Sequence, residues 1–125
     1  MGKLFVAAIN CIDGRVQKPV IEFVTKKFEA DYVDMITEPG SDKVISKNED
    51  LDAVKSIKKR VTFSIERNKS KAVIIAGHHD CAANSSSDQE HLKQIAESVQ
   101  NIKEWNLGVD VYGVWVDENW EVSLV

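Results

Sequence analysis

Apolar residues along this chain follow two alternating rhythms: short continuous runs, and longer stretches with one apolar position every three or four residues. Residues 4–9 (LFVAAI) form a continuous run, the pattern of a strand buried on both faces. Residues 16–28 then carry Val20, Val24 and Phe28 four apart. That spacing predicts a helix, with Pro19 near the first turn, where a missing N–H is tolerated. Residues 32–36 predict a second short strand, and "TEPGSD" predicts a loop from its Pro-Gly content. After Asn48, a candidate N-cap, Leu51, Val54, Ile57, Val61 and Ile65 share one face of a second helix. Its other side carries Lys55, Lys58, Lys59 and Arg60, read as a solvated face.

Residues 71–76 are the next buried strand, and "GHHDCAANSSS" is read as the loop after it. Ser87 with Glu90 three positions on makes a capping box, opening a third helix through Leu92, Ile95, Val99 and Ile102. Gly108 supplies its stop. Residues 109–116 predict a fourth strand, and Trp120, Val122 and Leu124 alternate in a fifth, reached through the turn "DEN". Alternating strands and helices predict an α/β three-layer sandwich with a mainly parallel central sheet. The simplest strand order is 2-1-3-4, with strand 5 antiparallel at the edge. Strands 1 and 3 are then central neighbours whose connections leave toward opposite faces. Ligands in such folds bind in the crevice at the carboxyl ends of those strands.

A length of 125 residues is ample for one hydrophobic core and short for two. The net charge of −4, with no basic stripe interleaved with aromatics, argues against nucleic acid as a partner. The apolar runs are too short to span a bilayer, so no membrane partner is expected. No signal-peptide core is visible at the N-terminus, and Val6 stands where a myristoylation signal wants Ser or Thr. A cytoplasmic location is the expectation, and there two cysteines are expected as reduced thiols or metal ligands.

Both cysteines fall in the loops that open at the crevice. Cys11, His78 and Cys81 converging on one point would form a sulfur-rich, nitrogen-containing site suited to Zn2+. Three protein ligands leave a fourth position for water, whose proton such an ion can release near neutral pH. Asp13 can fill that position, or pair with Arg15 and leave it open. Two other readings of the cysteines compete: packing as small buried hydrophobes, and a redox-active disulfide across the crevice. The Asp13–Arg15 pair can also be a structural salt bridge alone. His79 is assigned a solvent or hydrogen-bonding role, His91 an exposed helix face, and Asp80 a turn held by bonds to backbone amides. Trp105, Trp115 and Trp120 are read as core or edge covering.

Cys-x-Asp-x-Arg after the first strand, with His-x-x-Cys after a central one, resembles the zinc signature of β-class carbonic anhydrases. The resemblance runs in outline from the first strand to the start of the third helix. It implies a single β-carbonic-anhydrase-like domain over residues 1–125, with Cys11, His78 and Cys81 as zinc ligands. Asp13 and Arg15 would be the dyad controlling the open position. The implied activity is a zinc lyase hydrating CO2 to bicarbonate, with zinc-bound hydroxide attacking carbon. Hydrolysis of a related heterocumulene such as COS or CS2 is a rival. A non-catalytic zinc or small-anion binding module, closed by Asp13, is another. A homodimer is expected. The chain departs from the family with Gly14 where Ser is usual, and with Ala82 and Ala83 where Gly-Gly or Gly-Ala is usual. Thr37, Glu38, Pro39 and Gly40 replace an Arg-Asn-Ala-Gly stretch that lines the site, and the N-terminal helical arm that embraces a partner subunit is missing.

Overall fold

The computed structural model describes residues 2–125. Its elements in chain order are β1 (Phe5–Asn10), α1 (Gly14–Phe28), β2 (Tyr32–Thr37), α2 (Ser41–Lys47) and α3 (Leu51–Asn68). They continue with β3 (Ala72–His78), α4 (Asp88–Lys103), β4 (Asp110–Val116) and β5 (Val122–Leu124). The sheet order is β2-β1-β3-β4-β5, parallel throughout except for β5, which runs antiparallel along β4. This is the α/β architecture, and the strand order, that the alternation predicts.

Continuous apolar strands need cover on both faces, and both faces are covered. On one, Val6 and Ala8 of β1 and Ile74 and Ala76 of β3 pack against Val16, Val20 and Val24 of α1. On the other, Ala7, Ile9, Val73 and Ile75 meet Ile45 of α2, Ile57 and Val61 of α3, and Ile102 of α4. Full burial of each Val or Ile side chain among them contributes roughly 1.5–3 kcal/mol. Helix α1 alone flanks the first face, while α2, α3 and α4 share the second.

The structure differs from the sequence reading in several places, each with a physical reason. Helix α2 occupies the segment read as loop; it has seven residues, too few to show a period, and two of its buried positions are the polar Ser41 and Asp42. Asn48 ends α2 in a left-handed conformation, and Asp50 caps α3 instead, its side chain accepting from the Ala53 amide at 3.1 Å. Leu51 is consequently exposed. Helix α1 begins at Gly14, which puts Pro19 in the second turn and leaves the Arg15 carbonyl without an amide donor from residue 19. Helix α4 ends at Lys103, so Gly108 (φ 79°) shapes the loop into β4. Trp120 takes φ 60° in the turn before β5, which therefore starts only at Val122.

The largest correction concerns α4. His91, expected on an exposed face, is 1% exposed, whereas Leu92 is 38% exposed. The inward stripe runs through His91, Gln94, Ile95, Ser98 and Ile102, because α4 packs on α2 through polar side chains as well as apolar ones.

Gly77 of β3 lies under this packing. A Cβ there would stand 2.6 Å from Asp42 Oδ2 and 2.9 Å from Ile95 Cδ1. Ile95 can rotate, but Asp42 is held by hydrogen bonds. Gly77→Ala should therefore lower stability by about 1–3 kcal/mol, read from the midpoint of chemical denaturation with an unchanged slope.

Candidate metal centre

Strand β1 ends at Asn10, so Cys11 is the first residue beyond it. His78 is not in the loop but is the last residue of β3, and Cys81 follows in a tight turn with Asp80 at φ 59°. The turn is closed by an antiparallel bridge between Cys81 and Asn84, the Asn84 amide donating to the Cys81 carbonyl at 3.2 Å. Parallel pairing of β1 with β3 brings the two segments together, and the sulfurs of Cys11 and Cys81 lie 3.9 Å apart. Cys11, His78 and Cys81 are all buried, and one ligand atom from each lies within 4.8 Å of the other two.

The hydrogen bonds of His78 fix its chemistry. Its Nδ1 is 2.8 Å from the His79 carbonyl, which can only accept, so Nδ1 carries the proton. In the neutral ring Nε2 is then a lone-pair acceptor, buried and without a partner. An orphaned buried nitrogen is costly unless something takes its lone pair. Two sulfurs bound to one tetrahedral zinc stand about 3.8 Å apart, given Zn–S bonds of about 2.3 Å. The spacing and the free Nε2 both fit that ion. Both cysteines are free thiols at this separation, and both border the apolar cluster on the α1 face of the sheet.

Electrostatics favour one thiolate in the pair. Cys11 is lowered to about 4, first by the hydrogen bond from Cys81, which outweighs burial, and further by His78 and the Gly40 and Asp13 amides. Cys81 is raised by the same contact and by burial. His78 is opposed by burial, yet the Cys11 sulfur and the His79 carbonyl move it upward overall.

Asp13 caps α1, its Oδ1 accepting from the Arg15 amide at 2.9 Å. The Arg15 guanidinium grips the same carboxylate, Nε at 3.1 Å from each oxygen and Nη2 at 2.6 Å from Oδ2. Arg15 is itself held: Nη1 and Nη2 donate to Asp80 Oδ2 and to the Asp80 carbonyl, and the guanidinium lies 4.6 Å from the centre of the Trp120 ring. Asp80 thus bonds Arg15, and not the backbone amides expected from its turn position. The Arg15 hydrogen bonds hold Asp13 down at about 2. His79 pairs with Asp88 at 3.0 Å, which matches its assigned hydrogen-bonding role and moves it upward.

Several supporting residues escape sequence reasoning. Gln17 donates to Asn10 Oδ1 at 2.8 Å and to the Cys11 carbonyl at 2.6 Å, tying the Cys11 segment to α1. Arg60, placed on a solvated face by the sequence, reaches back to the Thr37 carbonyl and to Glu38. Gly40 takes φ 59°, and a Cβ on it would stand 3.1–3.2 Å from Ala83 atoms. Asp42, Asn84, His91 and Gln94 form a buried hydrogen-bonded cluster behind the Cys81 turn. One signal was available for it: His91, Gln94 and Ser98 repeat at helical spacing among apolar neighbours.

An α/β sheet covered on both faces, with a Cys–His–Cys group at the carboxyl ends of its two central strands, defines an α/β protein with a candidate metal centre in its crevice. The chain belongs to the carbonic anhydrase family: the family model described as "Putative carbonic anhydrase" matches residues 1–125. None of the curated proteins matches the sequence. Among solved structures, a carbonic anhydrase from Glaciozyma antarctica is similar at TM-score 0.62 and 18% identity, covering 95% of this chain and 80% of that one. The β-carbonic anhydrase CafA of Aspergillus fumigatus is similar at TM-score 0.51 and 14% identity, covering 99% and 75%. A carbon disulfide hydrolase in its apo form is similar at TM-score 0.50 and 14% identity, covering 98% and 77%.

The depressed Asp13 value has a definite sign. A carboxyl whose folded value lies below its unfolded one contributes stability above the unfolded value of about 3.8, lost as pH falls toward about 2. Carbon-detected NMR titration of metal-free protein should show the Asp13 carboxyl titrating near 2. In Arg15→Ala it should return toward the ordinary carboxylate range.

Proposed function

We propose that this protein is a zinc-dependent lyase that hydrates CO2 reversibly to bicarbonate. The observation that carries the reading is the buried triad of Cys11, His78 and Cys81, in which His78 Nε2 has no hydrogen-bond partner. These three residues would hold the zinc. When bound, the ion would lower the pKa of a water at its fourth position and so supply a nucleophile near neutral pH.

The chain's own residues divide the remaining work. The His79 carbonyl fixes the tautomer and orientation of His78 through Nδ1. Arg15 keeps the Asp13 carboxylate occupied by a two-pronged, charge-assisted grip. Asp13 is not one of the groups within 4.8 Å of each other, which favours an open fourth position over a closed, non-catalytic centre. The Arg15 amide, Nε and Nη2 engage both oxygens of the Asp13 carboxylate, Nε being shared between them. An ionised carboxylate only accepts, so any further hydrogen bond to it must come from a protonated ligand, and Asp13 would orient water and disfavour bare anions. Asp80 and Trp120 serve this arrangement indirectly by fixing the guanidinium.

The same donor set would serve hydrolysis of CS2 or COS, and the carbon disulfide hydrolase with this fold favours keeping that second reading. Assays of metal-loaded protein with CO2 and with CS2 separate the two.

Cys11→Ser and Cys81→Ser should each lose most of the zinc found by elemental analysis, because a hydroxyl is a poorer ligand than a thiolate. Full retention in both would refute the ligand assignment. Arg15→Ala should keep zinc but free Asp13 to occupy the fourth position, reducing CO2 hydration by about 10–100-fold, as loss of a ligand-orienting partner does. Arg15→Lys should recover only part of it, since an ammonium lacks the planar fork. Near-wild-type activity in Arg15→Ala would reduce the pair to a structural salt bridge.

A further inference from the structure

We propose that the buried Asp42–His91–Asn84 network is a positioning device that sets the place of the Cys81 sulfur opposite Cys11 and His78. The inference rests on the reading of Cys81 as a metal ligand for its purpose, though not for its geometry.

Asp42 sits in the first turn of α2, His91 in the first turn of α4, and Asn84 at the end of the Cys81 turn. All three are at most 2% exposed. Polar groups buried this deeply need partners, and they have them. His91 Nε2 lies 3.1 Å from the Asn84 carbonyl, an acceptor only, so Nε2 must carry a hydrogen. His91 Nδ1 lies 2.6 Å from Asp42 Oδ2, a contact that requires a proton between the two. The Asn84 side-chain amide donates to Asp42 Oδ1 at 3.0 Å and to Gln94 Oε1 at 2.7 Å, and its own oxygen accepts from Ser86 at 2.7 Å. Asn84 is thus pinned through its side chain, its carbonyl and its amide, the last bonded to the Cys81 carbonyl.

The consequence for Cys81 follows from chain geometry. The bridge between residues 81 and 84 transmits the fixed position of Asn84 to Cys81. A turn beyond the end of the sheet, with Asp80, Ala82 and Ala83 exposed, is thereby referenced to α2 and α4. Stability does not explain the network, because apolar residues of similar volume usually serve a core as well as a buried ion pair or better. Gly77 leaves the space that Asp42 occupies, so the strand beneath is also shaped to admit the carboxylate.

The test uses the full chain, metal-free, with four variants. His91→Phe removes both ring hydrogen bonds. Asn84→Ala leaves the Asp42–His91 contact intact but cuts the side-chain tether, and it carries the test if His91→Phe does not fold. Asp42→Asn is the conservative variant. Its amide can donate to Nδ1 of a neutral His91 while its oxygen still accepts from Asn84. Ser64→Ala is the control, since Ser64 is buried in a separate hydrogen-bonded group with Asp34 and Ser70.

One readout is the rate of iodoacetamide alkylation at Cys81 relative to Cys11, resolved by mass spectrometry. The other is Co2+ affinity, followed by thiolate-to-cobalt charge-transfer absorption. His91→Phe and Asn84→Ala should raise the Cys81-to-Cys11 alkylation ratio and weaken Co2+ binding by about 10–100-fold. Asp42→Asn should stay close to wild type, and Ser64→Ala should lower the denaturation midpoint while moving neither readout. Folded His91→Phe and Asn84→Ala with a wild-type alkylation ratio and wild-type Co2+ affinity would overturn the proposal. So would an equal effect from Ser64→Ala at matched stability. Absence of a charge-transfer band in wild type would instead remove the metal reading, and the alkylation ratio would still decide the positioning role.

Discussion

Because β1 and β3 run parallel and side by side, with Ala7 opposite Val73 and Ile9 opposite Ile75, the segments leaving them start one strand spacing apart. Parallel neighbours cannot be joined by a tight turn, so each must be followed by a crossover. Here the crossover from β1 goes to α1 on one face, and that from β3 goes to α4 on the other. The chain therefore opens a crevice at this point and fills it with whatever residues come next. Those residues are Cys11 and the His78–Cys81 turn. The apolar burial that fixes the strands also brings the metal-capable group together.

Two acid–base pairs serve this crevice under different physical regimes. Asp13–Arg15 is partly open to solvent, where ion pairs add little to stability. Its value lies in direction: a planar fork meets a carboxylate, and Asp80 and Trp120 leave the fork little freedom. Asp42–His91 is sealed from water, where a broken partner is severe and a complete network is rigid. The exposed pair suits a group that must meet incoming ligands. The sealed pair suits one that must not move.

Strands and long helices were legible in the sequence because their inward positions are apolar, as in β3, buried at every residue, and α1 with Val16, Val20 and Val24. Cys11, His78 and Cys81 were legible because strand order alone brings them together. What escaped has one cause. Where inward positions are polar, as with Ser41 and Asp42 of α2 or His91, Gln94 and Ser98 of α4, reading apolar residues as inward rotates or erases the element. Hence α2 passed for a loop, and Leu92 was assigned the face that belongs to His91. Gln17, Arg60 and Trp120 escaped for a different reason: their partners lie on segments that only the folded chain brings near.

Gly40 and Ala83 share one small volume between the loop after β2 and the turn after β3. Residue 40 cannot grow, since a methyl on it would press on Ala83 atoms at 3.1–3.2 Å and Gly40 is also left-handed. Two of the three atoms that a methyl on residue 40 would meet belong to the Ala83 backbone, so removing the Ala83 methyl would not free the position. The bar on residue 40 therefore belongs to the path of the chain at residue 83, and it would hold whatever side chain stood there.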